Sequence, residues 1–263
     1  MIVAAAQFAP VPLDAAANAA RMAGLITEAA ERGAGLVVFA ELALTGYELD
    51  GIAAAPERYA YAADGPVLAP VAAACRATGT AAVVNCPAPA ANGGLALTSY
   101  VYGPDGALLT RYDKRHLHGP EKAVFTPGRT DGRCTLGGLR IALATCYDTA
   151  HPEVWERAAA DGCGVLLASA FHDSAVRVEE LYAAAAREHG LQVLLANCLG
   201  PGSPGTACGL SGAWSPTAGR LADAGTEAGL TLADLRERIT LMSDPAVAAE
   251  PAAQAPGSSS GVG

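Results

Sequence analysis

Paired cysteines, aromatic rings and positive charge are all in short supply in this 263-residue chain. Its seven cysteines (75, 86, 134, 146, 163, 198 and 208) include no Cys-x-x-Cys pair. An odd, scattered set supplies neither a disulfide framework nor the spacing of a thiolate zinc site, so reduced thiols in a cytoplasmic protein are expected. Basic residues number 17 against 26 acidic ones, a formal net charge of −9. That leaves no basic footprint for nucleic-acid phosphates. No segment approaches the roughly 20 consecutive apolar residues of a membrane helix. The opening Met1-Ile2-Val3-Ala4-Ala5-Ala6-Gln7-Phe8 lacks the basic start of a secretory signal and reads as a strand.

What the chain has in quantity is small apolar residues: hydrophobic types make up 51% and charged types 16%. A large core is therefore within reach. Apolar runs of strand length alternate with helical stretches. Strands are predicted at Ile2–Phe8, Leu36–Phe39, Ala81–Asn85, Leu139–Thr145, Val165–Ser169 and Val193–Asn197. Hairpins are predicted around Gly103-Pro104-Asp105-Gly106, between Leu95–Tyr102 and Ala107–Tyr112, and around Ser215–Gly219, between Ala207–Trp214 and Arg220–Ala224. Asp14 is placed to cap a helix over Ala15–Arg32 that Gly33 stops. Further helices are expected at Pro66–Thr78, Glu153–Ala160 and Ser174–His189, and a last strand at Leu230–Ala233 before a short helix, Asp234–Thr240. The pattern is layered α/β or α+β in a single domain, residues 1–243. Residues 244–263 form an Ala/Pro/Gly/Ser-rich tail, expected to be flexible.

Three segments each put a polar residue at the end of an apolar strand. They are Leu36-Val37-Val38-Phe39-Ala40-Glu41, Arg111-Tyr112-Asp113-Lys114-Arg115-His116-Leu117, and Ile141-Ala142-Leu143-Ala144-Thr145-Cys146-Tyr147-Asp148. Strand ends are where layered α/β sheets open clefts, so Glu41, Lys114 and Cys146 can converge. Taken singly, each has a plainer reading: a solvated loop Glu, a surface Lys, a packing Cys.

In order and together, these segments resemble the nitrilase superfamily of carbon–nitrogen hydrolases. The likeness covers Phe39-Ala40-Glu41-Leu42 with Leu44-Thr45-Gly46-Tyr47, Tyr112–Leu117, Glu121–Gly128, Cys146-Tyr147-Asp148 with Pro152-Glu153, Ala196-Asn197, and the Gly209–Gly219 stretch. The resemblance implies a four-layer α-β-β-α sandwich and a Glu41–Lys114–Cys146 catalytic set, with Glu121 as a fourth member. It implies a homodimer or larger assembly. Neither cofactor nor metal is called for. The chemistry is self-consistent: a thiolate splits one hard displacement into two steps, a carboxylate serves as base and then acid, and a lysine cation with the backbone N–H of Tyr147 can hold the oxyanion.

The substrate expected is a small amide or N-carbamoyl compound. Nitrile-hydrolysing relatives usually follow the Cys with Trp-Glu, whereas this chain has Tyr147-Asp148. Thr149 and Ala150 stand where some relatives that take carboxylate-bearing substrates carry Arg. Candidate substrate contacts are Tyr47, His118, His151, Phe171 and His172, with Asp173 alternatively a helix cap. Each histidine is equally readable as a hydrogen-bonded loop residue. Other readings stay open: acyl transfer to an amine, nitrile hydrolysis, a non-catalytic binding protein, or a Cys–His enzyme using His116, His118 or His151.

Overall fold

In the computed structural model, which describes residues 1–203 and 205–235, the alternation of side chains along each strand sorts them into separate layers. The first half contributes β1 (Ile2–Gln7), β2 (Leu36–Phe39), β3 (Ala81–Pro89), β4 (Leu95–Tyr102) and β5 (Leu108–Asp113). The second contributes β6 (Gly132–Leu136), β7 (Leu139–Thr145), β8 (Val165–Ala170) and β9 (Gln192–Asn197). A small hairpin, β10 (Leu199–Gly202) and β11 (Gly205–Cys208), is followed by β12 (Gly212–Ser215), β13 (Gly219–Asp223) and β14 (Gly229–Asp234). Two six-stranded sheets result, ordered β14-β1-β2-β3-β4-β5 and β13-β12-β9-β8-β7-β6. The central strands β1, β2 and β3 run parallel, as do β7, β8 and β9, while the outer ones are antiparallel.

The helices are α1 (Ala15–Glu31), α2 (Leu49–Ala54), α3 (Ala69–Thr78), α4 (Pro152–Ala160) and α5 (Ala175–His189). Odd residues of β1, Val3 and Ala5, join Leu36, Val38, Ile141, Leu143, Val165 and Leu167 in a core between the sheets. Even residues Ala4 and Ala6 face the other way and pack with Met22 and Ile26 of α1 and Val71 of α3. On the far sheet, Ala142, Ala144, Leu166 and Val193 pack against Trp155 of α4 and Tyr182 of α5. Period-two strands sandwiched between amphipathic helices thus give four layers, α-β-β-α.

Local signals explain the helix ends. Asp14 accepts the Ala17 N–H at 3.0 Å and caps α1. Ser174, rather than Asp173, caps α5 by accepting from Arg177 N. Helix α3 begins at Ala69, three residues later than predicted, after a turn through Pro66–Leu68. The single strand expected over Ala207–Trp214 is two strands in different sheets. Gly209 (φ +70°) and Leu210 (φ +62°) adopt left-handed backbone in succession, which no ladder accommodates, so the chain turns from β11 into β12. Asp234 closes β14, paired with Ile2, instead of opening a helix. Residues 236–240 of that predicted helix, and the 244–263 tail, lie outside the described residues. Among the described residues no helix is long and apolar enough to cross a membrane.

Candidate active site

Glu41 leaves β2 on a tight turn in which Leu42 takes φ +50°. That conformation is held by Asn85 of β3, whose Oδ1 accepts the Leu42 N–H at 2.7 Å. Lys114 follows β5; its N–H donates to Leu97 O and its carbonyl accepts from Gly128 N, both at 2.8 Å. Glu121 sits in a 3-10 turn, Gly119–Ala123. All three side chains are fully buried. Lys114 Nζ lies 2.7 Å from Glu41 Oε1 and 2.7 Å from Glu121 Oε1. Tyr47 Oη also donates to Glu121 Oε1, and the His118 N–H donates to Oε2 at 2.8 Å. Glu121 therefore accepts from three donors and is fixed in place.

The nucleophile candidate stands on the facing sheet. Strand β7 runs directly into Cys146, which takes φ +43° and opens a 3-10 turn, Cys146–Ala150. A left-handed non-glycine at a strand end throws its side chain out of the sheet plane. Asp148 holds the turn: it is buried and accepts from Tyr112 Oη at 2.6 Å, Thr145 N at 2.9 Å and His116 N at 2.9 Å. Burial opposes its ionisation, yet hydrogen bonds from His116 and Tyr112 and the charge of Lys114 hold its pKa below the usual carboxylate range. Asp148 thus ties the chain around Lys114 to the chain before Cys146. Asn85 makes a second tie across the sheets, 3.4 Å from Thr145 Oγ1. A third runs from Ser169 Oγ to Phe39 O at 2.7 Å.

Electrostatics set the resting proton positions. Burial raises the Glu41 pKa from 4.5 to about 7 despite the pull of Lys114, with Glu121 adding to the rise. Burial alone would lower Lys114, but Glu41, Cys146 and Glu121 more than reverse this and keep it charged. Burial and then Glu41 push the Cys146 thiol well up, with Lys114 opposing. The resting sulfur is thus a thiol, and its hydrogen bond runs to the Phe171 carbonyl, at 3.8 Å. Glu41 Oε2 is buried and has no hydrogen-bond partner among the described residues.

A cavity of about 610 Å³ opens onto this cluster, lined by Tyr47, His118, Cys146, Tyr147, Phe171, His172, Asp173 and Arg177 among others. Tyr47 and Phe171 meet with ring centroids 4.9 Å apart. His172 contributes a buried neutral ring: burial, then Arg177 and Lys114, lower its pKa to about 4, and Nε2 lies 2.9 Å from Tyr182 Oη. His151 is not part of this lining. It stacks on His116 and bounds a separate cleft behind Tyr147, so its predicted contact with substrate does not follow from its position. The cysteines other than Cys146 stand apart from the cavity lining, and all seven are free.

Sequence reasoning missed Asn85 and Arg177, and assigned neither Asn197 nor Asp148 a role. A signal existed for two of them: Asn85 interrupts and Asn197 ends an apolar run, and each is fully buried. Asn197 accepts the His172 N–H at 2.8 Å and donates to Gly209 O at 2.6 Å, positioning the cavity wall.

A family model described as carbon–nitrogen hydrolase matches residues 2–243. A curated protein named "Hydrolase in pqqF 5'region", from Pseudomonas protegens, is 30% identical over 251 residues, 91% of this chain and 84% of that one. A nitrilase from Pyrococcus abyssi is 31% identical over 167 residues, 62% of each chain. Among solved structures, a variant of the amidase from Nesterenkonia sp. AN1 in complex with butyramide aligns with a TM-score of 0.82 at 29% identity, covering 89% of this chain and 90% of that one.

Proposed function

This chain belongs to the carbon–nitrogen hydrolase family, whose members act on C–N bonds other than peptide bonds, and we propose that it hydrolyses a small amide through a thioester on Cys146. The observation that carries this reading is the buried cluster in which Lys114 Nζ sits 2.7 Å from both Glu41 and Glu121, with the Cys146 thiol under the electrostatic influence of Glu41 and Lys114.

Since the resting sulfur is protonated, attack and proton transfer go together. Cys146 Sγ adds to the amide carbon while its proton passes to Glu41. The oxygen that gains charge is held by Lys114 and by the N–H of Tyr147, which lies in the first turn of a 3-10 helix and has no intrahelical acceptor there. Glu41 then gives its proton to the nitrogen, the C–N bond breaks, and ammonia or an amine leaves with the acyl group on sulfur. Water adds to the thioester, losing a proton to Glu41. The C–S bond breaks, the acid departs and Glu41 returns the proton to Cys146. Glu121, which also bonds Lys114, Tyr47 and the His118 backbone, orients the lysine.

The cavity wall beside Cys146 mixes aromatic and small residues with the charged Asp173 and Arg177, which suits a small acyl chain with room for a polar end. Butyramide and acrylamide, seen with variants of the Nesterenkonia amidase, are the natural first substrates. The test is ammonia release from these, from N-carbamoyl amines and from nitriles. Cys146→Ala should be inactive, and the wild type should show an acyl adduct by mass spectrometry. Lys114→Met should lower kcat by about 10²–10³ while the circular dichroism spectrum is retained. A nitrile-only profile, or turnover without any adduct on Cys146, overturns the proposal. Running the assay with an added amine separates hydrolysis from acyl transfer, because only transfer gives the new amide.

A further inference from the structure

Behind Tyr147, outside the cavity, three side chains converge that the chemistry above does not use. His116 lies two residues past Lys114, His151 precedes α4, and Glu153 stands in the first turn of that helix. The two imidazoles stack with centroids 3.8 Å apart and 18° between their planes. Their free edges address one oxygen: His116 Nε2 is 3.3 Å and His151 Nδ1 is 3.6 Å from Glu153 Oε1. One donor atom from each of the three lies within 4.8 Å of the others.

Those separations are long for charge-assisted hydrogen bonds, which run about 2.7–2.9 Å. The two histidine–carboxylate separations match the edge of a coordination tetrahedron, since metal bonds of about 2.0–2.1 Å put neighbouring donor atoms roughly 3.4 Å apart. The hydrogen-bond inventory points the same way. Asp148 already accepts from Tyr112 Oη, Thr145 N and His116 N, and its Oδ1 lies 2.9 Å from His116 Nδ1. An acceptor-only carboxylate makes that nitrogen the donor. A singly protonated His116 then turns the lone pair of Nε2 toward the Glu153 carboxylate, an arrangement that a cation between them stabilises. A carboxylate behind the far nitrogen of a histidine is also the outer-shell support that metal-ligating histidines use.

His151 supplies an independent observation: its Nε2 is buried with no hydrogen-bond partner among the described residues. The stacked orientation therefore leaves this ring under-satisfied; a tilt away from His116 that aims Nδ1 at a metal breaks no hydrogen bond of Nε2 and must give the Nε2 proton an acceptor such as water. Two cations border the same cleft, Arg115 and Lys122, of which Arg115 is paired with Asp131.

We propose that His116 Nε2, His151 Nδ1 and Glu153 Oε1 form a binding site for a divalent transition-metal ion of the zinc type, with a fourth position left to water. Because Asp148 links His116 to the backbone before Cys146, metal bound here braces the junction between the two sheets.

The test uses the full chain carrying Cys146→Ala, so that the cavity thiol does not compete, titrated metal-free with Zn²⁺ and Co²⁺ by calorimetry and absorption. His151→Phe in the same background keeps a ring on His116 but removes the ligand; Glu153→Gln keeps the shape but removes the charge. The parent should bind one equivalent, with a Co²⁺ spectrum free of sulfur charge-transfer bands and a melting temperature raised by Zn²⁺. Each substitution should weaken binding by about tenfold or more and abolish the thermal shift. Absence of binding in the parent, or equal binding in all three proteins, overturns the site.

Discussion

In the proposed mechanism, Glu41 is a base toward sulfur and an acid toward nitrogen within one turnover, and burial suits it to both by bringing its pKa to about 7. Only the ionised form accepts the thiol proton, and that form grows as pH rises. The acidic limb of the kcat/KM profile is therefore expected to rise with a midpoint near 7, well above the 4.5 of an unperturbed glutamate. Initial rates across a series of overlapping buffers check this; a limb near 4.5 would remove Glu41 from the role of base. The same shift works against the fold. The native state binds this proton more tightly than the unfolded chain, so the Glu41 contribution to stability declines as pH climbs from 4.5 to about 7. Glu41, Lys114 and Cys146 could be read from the chain because three strand-end segments stand in the order and company of a known family, whereas each alone reads as a loop, surface or packing residue. Asp148 and Asn85 could not be assigned roles, because their meaning lies in partners 30 to 60 positions away: Tyr112 and His116 for one, Leu42 and Thr145 for the other.

At the scale of elements, strand ends are held by backbone contacts as close as those between side chains. Gly128 donates its N–H to the Lys114 carbonyl, and a Cβ on it would fall 2.0 Å from the Asp113 carbonyl oxygen. No rotamer relieves a clash with backbone, so Gly128→Ala must push the end of β5 away from its place. It is expected to cost about 1–3 kcal/mol of stability and to depress kcat, since the displaced segment carries Lys114. Gly24→Ala, in the middle of α1 with nothing within 4 Å of the new methyl, is the contrast. It should stabilise by about 0.5–1 kcal/mol and leave kcat alone. Urea unfolding and steady-state rates on both variants decide it; equal behaviour of the pair would contradict the packing described. Most strands were legible because runs such as Leu36–Phe39 and Leu139–Thr145 are apolar and sharply bounded. The split between β11 and β12 was hidden by Leu210, a residue whose type gives no hint of left-handed backbone.

For the whole molecule, the layer order was not legible from periodicity. Strands buried on both faces, like β8, carry no alternation to say which side meets a helix and which meets the other sheet. Likeness to a known family supplied the four layers where patterning stopped. What the layers do is divide the proposed chemistry: Glu41 and Lys114 hang from one sheet and Cys146 from the other, joined by the Asp148, Asn85 and Ser169 ties. Catalysis then serves as a gauge of alignment between two slabs, since a shift of about 1 Å in a reacting group can cost about 10² in rate. On slow heating, loss of turnover is expected several degrees before loss of the far-ultraviolet dichroism, while Cys146 becomes more open to alkylation over the same interval. Coincident transitions would mean the slabs part only when each one melts. An enzyme arranged in this way falls silent by slipping, with every strand still intact.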